Sequence, residues 1–139
     1  MCWVSKKQDI KIAEQDIPIF KIMDKTNNPK IVSSYFRGHS YELNVLEKTE
    51  IKICDGYECN RIIVYIALHS YSDRIQTRRD EYNDVYVFNK KGFCTLPYGS
   101  DTIKVKGIIP KGSQYMENER GEFVSNQLIL TEICVGLEN

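Results

Sequence analysis

The chain has 139 residues, enough for one hydrophobic core and too few to divide comfortably into two. Its formal charge is zero and its isoelectric point is about 6.7. It therefore lacks the basic footprint of a dedicated nucleic-acid binder and any electrostatic draw to an anionic membrane surface. The longest apolar run, Ile62 to Leu68, is far shorter than the ~20 residues a membrane-spanning helix needs, and Met1 to Lys7 has no apolar leader core.

The cysteines are Cys2, Cys54, Cys59, Cys94 and Cys134, an odd set at irregular spacings. Reduced thiols in a cytoplasmic setting are the expectation, rather than a disulfide framework. Nine tyrosines accompany many isoleucines and valines, residue types that suit a pleated, half-buried surface.

Taken in order, residues 1–16 are polar with scattered Ile10, Ile12 and Ala13, and read as an arm or a short helical turn, with residues 1–8 frayed. Ile17 to Met23 alternates and is rich in β-branched residues, which predicts a first strand with Pro18 near its start. Asn27-Asn28-Pro29 signals a turn. Ile31-Val32 and Tyr35-Phe36 suggest an extended piece; Tyr41, Leu43 and Val45 fall on alternate positions of a strand. Ile51 and Ile53 alternate before Asp55-Gly56, a hairpin turn pair. Arg61 to Leu68, almost continuously apolar, predicts a central strand.

Ser70 to Asp84 is polar, and Ile75, Tyr82 and Tyr86 are spaced by seven and four. That spacing predicts a helix over 73–83 capped by Ser70 or Ser72, with a long polar loop as the alternative. Val85 to Phe88 and Phe93 to Leu96 read as a hairpin around Asn89-Lys90-Lys91-Gly92. Ile103, Val105 and Gly107 alternate with Lys104 and Lys106 up to a turn at Pro110-Lys111-Gly112. A charged loop follows at 117–122. Phe123 to Val135 is the last apolar stretch, and residues 136–139 are expected to fray. The expectation is one compact domain over 1–139, α+β but mostly β, with seven or eight strands and one or two short helices.

Chemistry is sparsely signalled. Cys54 and Cys59, with His69 or His39, make an incomplete zinc set, because a second close cysteine pair is missing; no metal is expected. The sequence leaves any of the five cysteines free to meet His39 or His69 in space, yet nothing local marks an activated thiol. No P-loop, dinucleotide fingerprint or nucleophile elbow is present. Arg74, Arg78 and Arg79 are interleaved with Asp73, Asp80, Glu81 and Asp84, which reads as a solvated, mutually neutralising surface. Glu117, Glu119 and Glu122 share a charged loop, a poor setting for paired acid–base work.

Two resemblances add to this. Ile108-Ile109-Pro110-Lys111-Gly112-Ser113-Gln114-Tyr115, followed by Gly121 to Leu130, resembles small proteins of gut anaerobic bacteria and their phages. So do Lys11 to Glu14 and Ile19 to Ile22. More remotely, Leu68-His69-Ser70-Tyr71-Ser72 resembles the Ser-Thr-Ser strand of the ADP-ribosyltransferase fold, with Ser125-Asn126-Gln127 where that family carries Glu-x-Glu. That likeness implies an NAD- or nucleotide-binding set of Lys21, Ser70, Ser72 and Gln127. Gln127 stands where the family's catalytic glutamate would be and lacks its charge, and Lys21 replaces an Arg or His, so catalysis does not follow.

The leading expectation is thus a non-enzymatic binding protein without a cofactor, carried by a bacterium, a phage or another mobile element. It favours a protein partner or self-association over nucleic acid. Tyr71, Arg74, Arg78, Arg79, Tyr82 and Tyr115 are its candidate contact residues, as Tyr and Arg dominate interface energetics.

Overall fold

A computed structural model of the chain describes residues 3–34, 39–55, 60–92, 98 and 102–134. These residues contain fifteen strands and no helix. In order they are β1 (Trp3–Lys6), β2 (Lys11–Ile12), β3 (Ile17–Lys25), β4 (Ile31–Ser34), β5 (Ser40–Glu42), β6 (Leu46–Lys48), β7 (Lys52–Asp55) and β8 (Arg61–Ile66). Then come β9 (Leu68–Ser72), β10 (Gln76–Arg79), β11 (Val85–Phe88), β12 (Thr102–Ile109), β13 (Gln114–Glu117), β14 (Glu122–Ser125) and β15 (Gln127–Ile133).

A ten-stranded antiparallel sheet forms the body, ordered β2-β13-β14-β9-β3-β12-β15-β6, with β4 on β3 and β5 on β4. Alternation along its strands builds two sides. Ile19 and Met23 of β3, Leu68 of β9, Val105 and Ile109 of β12, Phe123 of β14 and Leu128 and Leu130 of β15 share one core with Val32 and Tyr41. Tyr115, near one end of the strand order, packs on the same core as Leu128, near the other. The sheet must coil strongly to bring them together.

Its opposite side carries two smaller layers. The three-stranded sheet β1-β8-β7 lays Trp3, Ile62 and Val64 against Met116 and Val124 of β13 and β14. The hairpin β10-β11 lays Val85 and Val87, with Ile75, against Phe20 and Ile22 of β3. Gly107 permits the tight passage of β12 over β15. A Cβ there would lie 2.3 Å from the carbonyl oxygen of Ile129, at the point where the β12–β15 register shifts.

The α+β expectation is therefore corrected to an all-β fold. The segment read as a helix is the ascending arm of a hairpin. Ile75 and Thr77 bury two residues apart, on one strand face, whereas Tyr82 is 74% exposed. Asp80 Oδ1 accepts from the amides of Tyr82 and Asp84 at 2.9 Å each, and Asn83 takes φ 66°. Together they close a turn that no helix allows. Ser72 Oγ accepts from the Arg74 amide at 3.3 Å, so it holds a turn rather than a helix start.

The strand count exceeds seven or eight because bends cut the apolar stretches. Arg61 to Leu68 divides at Ala67, sending β8 to the centre of the small sheet and β9 into the large one. Phe123 to Ile133 divides at Asn126, between β14 and β15. Within residues 1–16 the structure places strands β1 and β2 at Trp3–Lys6 and Lys11–Ile12, joined by irregular segments, and no helical turn among the described residues. β11 pairs with β10, register Thr77↔Val87; the predicted hairpin partner 93–96 lies outside the described residues, as do Gly56 of the predicted Asp55-Gly56 turn, Tyr35-Phe36 and the predicted frayed residues 136–139. Among the described residues no helix is long and apolar enough to cross a membrane.

Candidate functional site

Two places gather the residues singled out in the sequence. The first is a seam in the large sheet. Along one edge, β3 pairs with β9 at Ile19↔Ser72 and Phe20↔Tyr71, then with β4 from Met23↔Ser34 to Lys25↔Val32. Lys21 sits between these two ladders. Its amine donates to the main-chain carbonyl of His69 and lies 5.3 Å from the centre of the Tyr41 ring. Burial holds the amine well below the usual lysine range, at about 8.

Continuing the β3–β9 register by one residue sets Lys21 opposite Ser70. Ser70 is also paired with Phe123 across β14 and so faces the core of the coiled sheet. Its hydroxyl is buried and has no hydrogen-bond partner among the described residues, a state that costs about 1–3 kcal/mol. At the rim, burial and the nearby Glu47 carboxylate push the Tyr41 hydroxyl up to about 12. His39 contacts Tyr41 edge-on and lies 3.7 Å from Glu47.

Of the four residues named for nucleotide binding, Lys21 and Ser70 stand on adjacent strands and the same side of the sheet, and Gln127 does not join them. Gln127 alternates with Leu128, which enters the core, so its side chain leaves on the other side of β15 and accepts from the Ser113 hydroxyl at 3.2 Å. Ser72 faces the Ser70 side, with its oxygen engaged in the turn to Arg74.

The second place is the hairpin β10-β11. Its inner side carries Thr77, Val85 and Val87; its outer side pairs Arg78 with Tyr86 and Gln76 with Phe88. The Arg78 guanidinium lies 5.2 Å from the centre of the Phe88 ring. Arg74 and Arg78 are exposed and lie in no ion pair among the described residues. Arg79 is spent internally, donating to the carbonyls of Asn83 at 2.8 Å and Thr102 at 3.1 Å. Tyr82 projects from the turn.

The remaining candidates turn inward. Tyr71 stacks on Phe20 with ring centres 5.3 Å apart and shares a 2.8 Å hydrogen bond with Tyr98. Burial, then the Tyr98 contact, raise its hydroxyl far above the ordinary value. Tyr115 is half-buried against Phe123 and borders an open groove lined also by Lys11, Ile12, Glu14, Gln15 and Ile17. Sequence reasoning missed Tyr86 and Phe88 as surface aromatics. The signal was present, since they alternate with Val85 and Val87, but it becomes readable only once 76–79 is a strand.

Among the described residues, no three His, Cys, Asp or Glu side chains converge to hold a metal, and Cys59 of the incomplete zinc set lies outside them. No family model, curated protein or solved structure matches this chain.

Proposed function

We propose that the chain is a non-enzymatic binding protein of the bacterial cytoplasm, phage- or mobile-element-encoded, whose working surface is the outer side of the β10-β11 hairpin. The observation that carries this is the Arg78–Phe88–Tyr86 cluster. It sets a guanidinium over a ring, beside a second ring, on a side of the hairpin turned away from the core. Arg and Tyr are the anchor types of protein interfaces, and a planar guanidinium held over a ring keeps its fork free for a carboxylate. The partner is accordingly a protein that offers an acidic side chain to Arg78 and apolar surface to the rings. Tyr82 and Arg74 flank the contact.

Affinity capture from bacterial lysate tests this reading, with wild type compared against Arg78→Ala, Arg78→Lys and Tyr86→Ala. A partner retained by wild type and by Lys48→Ala on β6, lost in Arg78→Ala and Tyr86→Ala, and weakened in Arg78→Lys supports it. Identical capture by all variants refutes it, as does light scattering that finds only self-association insensitive to these changes.

A further inference from the structure

We propose that Lys21 Nζ and Ser70 Oγ form a two-pronged site for the carboxylate of a small monocarboxylic acid, entered through the seam where β3 passes from β9 to β4. The inference is independent of the hairpin surface and rests on hydrogen-bond capacity. A lysine ammonium has three donors, and the His69 carbonyl takes one. No carboxylate lies within ion-pair distance of Lys21 among the described residues. Ser70 Oγ, on the neighbouring strand and the same side, is the one buried side-chain polar atom among the described residues without a partner. Two donors on adjacent strands suit the two oxygens of a single carboxylate, and the charge-assisted geometry is the stronger for being sheltered.

The surroundings select the class of acid. Ile19, Met23, Leu68 and Phe123 belong to the apolar core packed on this side of the sheet. They favour a short alkyl tail over a second charge, whose desolvation nothing there would offset. Lys21 as a whole residue keeps partial exposure, while its amine is the buried end. The charged and titratable groups facing it are few: the Tyr41 ring contacts the amine, and Glu47 with His39 lies behind Tyr41. The anion must meet a protonated amine, so binding is strongest below the value of about 8 that burial imposes on Lys21.

The test is an NMR titration of 13Cε-lysine-labelled full chain with butyrate. One lysine resonance titrates near 8 in the free protein and moves to higher pH when butyrate saturates. Affinity weakens about tenfold per pH unit once the amine deprotonates. Ser70→Ala weakens binding about tenfold, and Lys21→Met, checked for fold by circular dichroism, abolishes it. Acetate binds more weakly than butyrate because its tail reaches less of the apolar core. The proposal fails if the Lys21 resonance of the wild type ignores butyrate at about 100 mM, a result expected if a water satisfies Ser70. It fails equally if Lys21→Met binds as wild type does.

Discussion

Replacing Lys21 by Met should flatten the alkaline stability profile of this protein. In the unfolded chain the amine titrates at its ordinary 10.5, and in the folded chain at about 8. Between those values the unfolded state binds the extra proton, so stability rises with pH. The gap, at roughly 1.4 kcal/mol per pH unit, gives about 3 kcal/mol in all, of which about 2 kcal/mol accrues between pH 8 and pH 10. Burial also lowers Lys104, which adds in the same direction. Tyr41, raised to about 12, opposes both above pH 10, because the unfolded tyrosine ionises first. Stability should therefore peak near that pH. Urea denaturation of wild type and Lys21→Met at half-unit steps from pH 7 to pH 10 isolates the Lys21 share, because all other groups cancel in the difference. A difference that stays constant across this range would refute the buried placement of Lys21 and the seam with it.

Two further outcomes follow from the geometry. Gly107→Ala places a Cβ against backbone rather than a flexible side chain, 2.3 Å from the Ile129 carbonyl oxygen. It should cost roughly 1–3 kcal/mol or more, read as a lowered midpoint in the same urea assay; a neutral effect would mean that β12 and β15 do not cross so closely. Millimolar NAD should leave the melting temperature unchanged, since Gln127 points away from Lys21 and Ser70. A ligand at 100 times its dissociation constant would add about 2.7 kcal/mol, so a clear upward shift would restore the nucleotide-binding reading.

Alternation in the sequence was sufficient to find β3 and β12, because Ile19, Met23, Ile103 and Val105 repeat with the period of a pleat and are flanked by turns at Asn27-Asn28-Pro29 and Pro110-Lys111-Gly112. The same local logic failed over 73–83. Ile75, Tyr82 and Tyr86 fit a helical spacing as well as any, and the Asp80–Asn83 turn that excludes the helix is built from residues common in loops and helix ends alike. Where Arg61 to Leu68 breaks is likewise invisible in an almost continuously apolar run, since the break at Ala67 marks where the chain changes sheet rather than a change in residue type; the break at Asn126, by contrast, falls in the polar step Ser125-Asn126-Gln127 within Phe123 to Ile133.

The sequence by itself determined that strands dominate and that Lys21 stands on an extended segment. Only the tertiary structure decided that β3 exchanges β9 for β4 at Lys21, that Ser70 lies beside it, and that Gln127 turns the other way. The physical reason is that side-chain direction follows from period-two alternation within a strand. Which strands become neighbours, by contrast, is fixed by long-range pairing and sheet coiling, which no local pattern encodes.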